Sequence, residues 1–428
     1  MADLLELSSR IIDAGHADEP VNRVTQELSE VADDLAVIES FSHVVLLRTD
    51  DGLVAFDTSS GMSGAACVDS LRAWSSDPVT HLIYTHGHVD HVGGSGAFVA
   101  DAIDRGHARP EVVAHEAVRE RFDRYRRTNG WNVAINQRQF GWLSGGGLGM
   151  TDAKQFLPRS TAEPDVTYRD TLSIAAGGVP IELHHAKGET DDHTWAWLPE
   201  QKAICAGDFL IWNFPNAGNP QKVQRYPEEW AVALRAMAAM EPELFLPAHG
   251  LPIAGKERIA MVLDEVATAL EDLVAAVLER MNAGARLDEI VHEVTVPDAV
   301  LARPFLRPFY DEPEFVIHNV WRRYGGWWDG DPSTLKPAPA RALAAEMASL
   351  AGGALALAKR ADELAATGEL RLACHLAEMA GLAAPEDHAV QTLRAEVYER
   401  RRKAESSLMA KGIYASAVRE SKAALGES

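Results

Sequence analysis

The sequence is poor in cysteine and in positive charge. Its 428 residues include only three cysteines, Cys67, Cys205 and Cys374, which are far apart and form no Cys-x-x-Cys pair. This spacing excludes a disulfide framework and argues against a zinc site built from thiolates. Lysine and arginine number 41 against 63 aspartate and glutamate residues, so the formal net charge is −22. Because an acidic chain repels phosphate backbones, we expect no nucleic-acid partner.

Long apolar runs are also absent, and no stretch approaches the ~18 apolar residues that a membrane span requires. The N-terminus, MADLLELSSRIIDAG, carries Asp3 and Glu6 where a secretory signal would carry positive charge, and its pattern is that of an amphipathic helix. We therefore expect a cytoplasmic protein with no membrane partner. With 46% hydrophobic and 24% charged residues, and only 32 glycines and 21 prolines, the composition is that of a globular protein.

Strand and helix patterns divide the chain into three predicted parts. Residues 1–255 alternate short apolar or β-branched runs, such as Val44-Val45-Leu46-Leu47, with helical segments, which predicts a layered α/β domain. The strand patterns stop at about Lys256. Residues 256–335 are predicted to form a helical and aromatic connector. Residues 336–428 are predicted to form Ala- and Leu-rich helices whose spacing of small residues resembles tetratricopeptide pairs.

The most specific chemical pattern is THGHVDHVGG at residues 85–94, directly after the apolar strand pattern His81-Leu82-Ile83-Tyr84. Four potential metal ligands lie within six residues of one another: His86, His88, Asp90 and His91. Neutral imidazoles and carboxylates suit zinc and similar divalent metals. One such histidine alone would be an ordinary polar turn residue, but the combined pattern predicts a metal-binding loop.

This His-x-His-x-Asp-His pattern followed by two glycines resembles the signature of the metallo-β-lactamase fold. The resemblance implies an αββα sandwich with a two-metal site along one edge of the sheets. It also implies three further ligands, and the sequence offers Glu189, Asp208 and His249 in the expected order. By carry-over, His86, His88 and Glu189 hold one metal, Asp90, His91 and His249 hold the other, and Asp208 bridges them. Taken singly, Glu189 and Asp208 are also compatible with turn or helix-cap carboxylates.

A centre of this kind implies hydrolysis without an organic cofactor. Two metals about 3.5–4 Å apart share a water and lower its pKa toward neutrality, which supplies a bridging hydroxide as nucleophile. Asp90 would orient that hydroxide. Zinc is the metal that the resemblance implies, although a ligand set rich in carboxylates also suits iron or manganese. His193 is a candidate proton donor to the leaving group, and the alternative is that it orients a metal ligand.

Glu189 narrows the resemblance further. A glutamate at the third-ligand position, nineteen residues before the bridging carboxylate, resembles the alkyl sulfatase group, and residues 314–332 are similar to the start of the alkyl sulfatase dimerisation domain. The resemblance implies a sulfate ester substrate and a homodimer formed through the C-terminal helices. Two departures stand against this pattern. That group usually bridges its metals with glutamate where this chain has Asp208, and of its anion-binding arginines only Arg225 is matched, with Lys222 near the earlier position.

Arg138 is a further candidate for contact with an anionic substrate, and the alternative is a surface arginine on a helix. The glycine-rich run 144–149 after it is predicted to be a flexible lid. The leading hypothesis is thus a dinuclear metal hydrolase acting on a sulfate ester or a related anionic ester. A second hypothesis keeps the metal site but acts on a lactone, thioester or phosphoester. A third is a non-catalytic scaffold, which would need neither seven ligands nor an open coordination position.

Overall fold

The computed structural model describes residues 3–141 and 154–427, which fall into two compact units. Among the described residues, the first unit contains positions up to Val133, those between 154 and Ala285, and Glu289–Gly325. The second unit contains positions 134 to 141, Arg286–Asp288, and the chain from Gly326 onward. The predicted lid, 144–149, lies outside the described residues.

Two sheets form the centre of the first unit. The first sheet has seven strands whose spatial order follows the chain: β1 (Leu28–Ala32), β2 (Leu35–Ile38), β3 (Val44–Thr49), β4 (Gly52–Phe56), β5 (Val79–Ile83), β6 (Glu111–His115) and β7 (Val166–Tyr168). The second sheet has six strands, also in sequential order: β8 (Thr171–Ala176), β9 (Val179–His185), β10 (Thr194–Leu198), β11 (Ala203–Gly207), β12 (Leu244–Pro247) and β13 (Ile253–Ala254).

The helices of the first part of the chain lie between these strands or follow them. They are α1 (Leu4–Ala14), α2 (Gly64–Trp74), α3 (Val89–Val92), α4 (Ser95–Asp104), α5 (Ala117–Arg127), α6 (Asn129–Phe140), α7 (Pro227–Ala239), α8 (Lys256–Asn282), α9 (Leu287–Glu293), α10 (Asp298–Leu301) and α11 (Pro313–Gly325). The predicted N-terminal amphipathic helix is confirmed as α1, since the Asp3 carboxylate caps it by accepting the N–H groups of Leu5 and Glu6.

Connection length explains which strands pair in parallel. The strands β1 to β4 pair antiparallel through short turns, whereas β4 to β7 run parallel and are linked by helices. In the second sheet only β11 and β12 pair in parallel, and α7 connects them. Parallel neighbours end at the same edge of a sheet. Side chains that directly follow β4 and β5, or β11 and β12, are therefore brought close together.

Two apolar layers hold the first unit together. Residues from both sheets, including Val54, Ile83, Leu183 and Leu246, form one buried cluster between the sheet faces. A second cluster joins the other face of the first sheet to its helices, with Phe98 and Phe122 among its members; the helices α1 and α8 contact the second sheet. The layer order is therefore the predicted αββα sandwich, which the structure confirms.

The second unit is helical. Besides residues of α6, it contains α12 (Pro332–Leu335), α13 (Ala340–Leu350), α14 (Ala354–Ala366), α15 (Leu370–Ala383), α16 (His388–Ala404) and α17 (Leu408–Ala424). Buried small residues such as Ala358 and Ala377 let these helices approach closely. The predicted all-α C-terminal part is confirmed, while its likeness to tetratricopeptide pairs stays a prediction.

The lengths and hydrophobicity of the helices bear on whether any of them could span a membrane. Within positions 3–141 and 154–427, no single helix is long and apolar enough to cross a membrane. The pair α13 and α14, bent by 85°, meets the length and composition criteria only when both helices are taken together.

Candidate metal centre

The predicted ligand loop begins where β5 ends and runs into α3. His86 and His91 are fully buried, while His88 and Asp90 keep 18% and 15% of their side chains exposed. Gly94 shows why small residues close this loop, because a Cβ there would lie 2.0 Å from the carbonyl oxygen of Thr58. The loop is thus pressed against the segment that follows β4.

The other three predicted ligands come from the second sheet. Glu189 lies in the connection between β9 and β10, Asp208 directly follows β11, and His249 follows β12. Because β11 and β12 are parallel neighbours, Asp208 and His249 leave the sheet at the same edge. The structure brings all seven predicted ligand side chains into one cluster.

Within this cluster the donor atoms form two groups, each spanning less than 4.8 Å: His86, His88 and Asp208 in one, and Asp90, His91 and His249 in the other. Asp208 lies between them. Its Oδ2 is 3.9 Å from Nε2 of His86 and 3.4 Å from Nε2 of His91, and its Oδ1 is 3.5 Å from Nε2 of His249. Glu189 adjoins the first group, with Oε1 3.4 Å from Nδ1 of His88.

Several buried polar atoms of the cluster have no hydrogen-bond partner among the described residues. They are Nε2 of His91, Oε2 of Glu189 and Oδ1 of Asp208. An unpartnered buried polar atom costs ~1–3 kcal/mol, so three in one cluster need a compensating ligand. Imidazole nitrogens and carboxylate oxygens at these distances are the donor set of a divalent metal site. The residues present therefore fit the metal that the sequence pattern predicts.

The pKa values of the histidines in the two ligand groups are shifted in opposite directions. Burial lowers the pKa of His86 and His88 well below the usual value, so both are neutral imidazoles that are ready to bind a metal. Burial acts in the same direction on His91 and His249, but the charges of Asp208 and Asp90 outweigh it and raise the pKa of both. Since a metal requires the neutral ring, binding at the second group releases protons.

Asp57 supports the second group and belongs to none of the motifs described above. Its Oδ2 lies 2.7 Å from Nδ1 of His91, and its carboxylate accepts the N–H and the hydroxyl of Thr85. This contact fixes the ring of His91 with Nε2 directed into the cluster. A sequence signal existed, because Asp57 directly follows β4, the parallel neighbour of the strand that precedes the ligand loop.

Glu189 is held by two residues of the segment that follows β11. Arg225, which is 2% exposed, places Nη1 2.5 Å from Oε1 of Glu189 and donates to its carbonyl oxygen at 2.8 Å. Asn216 donates from Nδ2 to the same Oε1 at 2.5 Å. Burial raises the pKa of Glu189, and Arg225 acts against that shift. Arg225 is predicted as a substrate contact, and in the structure it contacts this candidate ligand.

Lys222 and Tyr310 interact electrostatically with residues of the cluster. Burial and the charge of Arg225 lower the pKa of Lys222 to about 8, while the charges of Asp90 and Glu189 oppose this shift. Burial raises the pKa of Tyr310, and the negative charges of Glu189 and Asp90 raise it further. Lys222 was predicted from the sequence, but Tyr310 was not, since it lies in the aromatic connector. Arg138 is an exposed residue of α6 in the second unit, and its substrate contact stays a prediction.

His193 is completely buried behind the first group. Its ring lies 4.4 Å from the ring of His86 and stacks on Phe209 at 4.2 Å, and its Nε2 accepts the backbone N–H of Asp208 at 3.2 Å. Burial lowers the pKa of His193 to about 3. The ring therefore contacts two candidate ligand residues, and the predicted transfer of a proton to the leaving group stays a prediction.

Comparison with known proteins agrees with this arrangement. A family model described as the metallo-beta-lactamase superfamily matches residues 37–249, and one described as alkyl sulfatase dimerisation matches residues 286–423. With its αββα fold and ligand loop, the chain belongs to the metallo-beta-lactamase superfamily. The second match and the curated relatives show that it is similar to the alkyl sulfatases of that superfamily.

The relatives are distant in sequence but similar in fold. A linear primary-alkylsulfatase from a Pseudomonas species is 25% identical over 80% of this chain and 66% of its own length. An (R)-specific secondary-alkylsulfatase from Pseudomonas is 24% identical over 84% and 56%. The structure of the stereoselective inverting sec-alkylsulfatase Pisa1 from Pseudomonas superposes with a TM-score of 0.82 at 22% identity, covering 92% of this chain and 66% of that one. This chain thus spans 56–66% of the length of these relatives.

Proposed function

We propose that this protein is a metal-dependent hydrolase of sulfate esters. The observation that carries the proposal is the position of Asp208, whose two oxygens lie within 4 Å of imidazoles from both ligand groups. Such an arrangement suits two divalent metals, which we propose to be zinc. When bound, they would supply an activated water and stabilise negative charge on the ester oxygens.

The protein's own residues would orient the reactants. His88, Asp90 and His249 are the partly exposed members of the cluster, so the substrate would approach from their side. Asp90 is in position to accept a hydrogen bond from the attacking water. The charges of Asp90 and Glu189 act on Lys222 and Tyr310, and we propose that this ammonium and this phenol bind the anionic sulfate group.

For His193 the contacts favour a positioning role. Its Nε2 is engaged by the N–H of Asp208 and its ring is enclosed by His86 and Phe209. A ring held in this way fixes the backbone from which the bridging carboxylate projects. We propose that His193 positions Asp208.

Metal analysis is the first test of this function. The purified protein is expected to contain about two metal equivalents per chain by elemental mass spectrometry. The variant Asp90→Asn should lose one equivalent and nearly all activity. Asp104→Asn, which makes the same substitution at an exposed position, is the matched control and should keep both. A parent protein without bound metal would overturn the proposal.

A substrate panel is the second test. Primary and secondary alkyl sulfates, lactones, thioesters and phosphodiesters are incubated with the metal-loaded protein, and inorganic sulfate is measured by ion chromatography. We expect turnover of alkyl sulfates. Turnover of another ester without sulfate release would contradict the substrate class but keep the metal site. Reaction in ¹⁸O-labelled water separates attack at sulfur, which labels the sulfate, from attack at carbon, which labels the alcohol.

We also propose a homodimer, because the match to the alkyl sulfatase dimerisation model covers nearly all of the helical second unit. Light scattering at micromolar concentration should give about twice the 46.5 kDa mass of the chain. A mass equal to that of one chain would contradict the dimer.

A further inference from the structure

Gly87, the residue between the candidate ligands His86 and His88, is held by a buried carboxylate. Oδ2 of Asp192 accepts the backbone N–H of Gly87 at 3.1 Å, and Asp192 is fully buried. Asp192 lies three residues after Glu189. A single side chain thus links the backbone of the His86–His88 segment to the connection that carries Glu189.

An arginine from another element neutralises this carboxylate. Arg121 of α5 is 2% exposed and donates from Nε to the same Oδ2 of Asp192 at 2.6 Å. It also donates from Nη2 to Asp191, whose side chain is 43% exposed. The pair of Arg121 and Asp192 is therefore buried, whereas Asp191, the other carboxylate that Arg121 contacts, is partly exposed.

The packing around Gly87 leaves no space for a side chain at this position. A Cβ at this position would lie 2.8 Å from Cδ of Arg121 and 3.0 Å from Oδ2 of Asp192. The pair occupies the space in which a side chain of residue 87 would lie. Any movement of Arg121 or Asp192 therefore moves the backbone from which both His86 and His88 project.

The second ligand group has a different support. His91 is oriented by Asp57, which is bonded to Thr85 and belongs to the segment after β4. The two groups thus have different direct carboxylate contacts, Asp192 at Gly87 and Asp57 at His91, while Asp57 reaches His86 only through the Thr85 hydroxyl, which lies 3.1 Å from Nδ1 of His86.

We infer that Arg121 and Asp192 form a positioning pair that sets the metal affinity of the group containing His86, His88 and Glu189, separately from the group supported by Asp57. This inference rests on the proposed metal centre. It goes further because it assigns the zinc affinity of each ligand group to a different supporting carboxylate.

The experiment titrates the metal-free protein with zinc in the presence of a chromophoric chelator. In the parent we expect two tight equivalents. The variant Asp192→Ala should weaken one equivalent by about 10–100-fold and leave the other within about twofold, which is the range that loss of an outer hydrogen-bond partner causes. Asp192→Asn, which retains an oxygen to accept the N–H of Gly87, should restore a large part of the lost affinity.

Two further variants test whether the loss of zinc affinity is specific to the contact between Asp192 and Gly87. Asp191→Asn removes the other carboxylate partner of Arg121 without touching Gly87, so it should change neither equivalent by more than about twofold. Combining Asp192→Ala with Asp57→Asn should weaken both equivalents, because the two carboxylates serve different groups. If the double variant keeps one tight equivalent, both residues act on the same metal and the inference is overturned.

Folding is checked on the metal-free proteins by circular dichroism and thermal unfolding. If Asp192→Ala does not fold, Arg121→Lys replaces it, because lysine keeps the charge but loses the forked contact, and one equivalent should again weaken selectively. Equal weakening of both equivalents, or none, in a folded variant would overturn the inference while leaving the metal centre intact. A parent that binds no zinc would instead overturn the proposed function.

Discussion

Replacing Asp311 by asparagine perturbs a buried carboxyl group that holds the segment after β11. Asp311 is fully buried. Its Oδ2 accepts the N–H groups of Gly218 at 2.6 Å and Asn219 at 3.1 Å, and its Oδ1 accepts that of Glu312 at 2.8 Å. Burial raises the pKa of Asp311 from 3.8 to about 6, although these three N–H groups favour the charged form.

The sign of the pH effect follows from this raised pKa. The folded protein keeps the proton of Asp311 at pH values where the unfolded chain has already released it. Between about pH 4 and pH 6 the unfolded chain binds fewer protons, so the contribution of Asp311 to stability falls as the pH rises. A tenfold change in proton affinity is worth ~1.4 kcal/mol, which gives about 3 kcal/mol for the whole shift. Relative to the parent, Asp311→Asn should therefore gain about 3 kcal/mol between pH 4 and pH 7.

Urea unfolding of the metal-free parent and variant, followed by tryptophan fluorescence at one-unit pH intervals, measures this difference. The control is Asp272→Asn on the exposed side of α8, which should stay within about 0.5 kcal/mol of the parent at every pH. A difference that is flat with pH would refute the reasoning. A difference that falls with pH would show that the three N–H groups, and not burial, determine the charge of Asp311.

Two further predictions concern the metal centre and the helical unit. Arg225→Gln removes the guanidinium that opposes the raised pKa of Glu189, so protons compete more strongly with zinc: affinity should fall about tenfold at pH 7 and by clearly less at about pH 9.5. Equal loss at both pH values in the chelator assay would contradict this. In the helical unit, a Cβ at Gly412 would lie 1.7 Å from the carbonyl oxygen of Gln139, so Gly412→Ala should cost about 1–3 kcal/mol in thermal unfolding. Gly130→Ala, with no atom within 4 Å of the added Cβ, should be neutral or stabilising by up to about 1 kcal/mol, and equal effects at both positions would contradict the packing argument.

The sandwich and the ligand cluster could be predicted because the local pattern at residues 85–94 carries a resemblance that implies both. Four potential ligands occur within six residues, and Glu189, Asp208 and His249 each lie in a connection directly after or near the end of a strand. Strand and helix patterns likewise reflect neighbouring residues in the chain. Regular structure and motif order are therefore readable from one sequence.

The supports of the cluster are harder to predict, because they join elements that are distant in the chain, although the position of Asp57 directly after β4 is a signal for one of them. Asp57 and His91 are 34 positions apart, and Arg121 and Asp192 are 71 apart. In the sequence alone, Asp57 and Asp192 resemble ordinary surface carboxylates, and Arg121 resembles an ordinary helix arginine. Arg225 illustrates the same limit, since the sequence indicated an anion-binding residue but not its bond to Glu189.

The sequential order of both sheets has a consequence for how the protein is made. The first sheet is complete at Tyr168, and by then the chain contains only the ligands of the 86–91 loop. Glu189, Asp208 and His249 are synthesised later, with the second sheet. During synthesis from the N-terminus, the four candidate ligands of the 86–91 loop are therefore available to metal ions before the other three are made. We expect tight and selective metal capture to come late in the folding of this domain, because His249 follows β12, the fifth of the six strands of the second sheet.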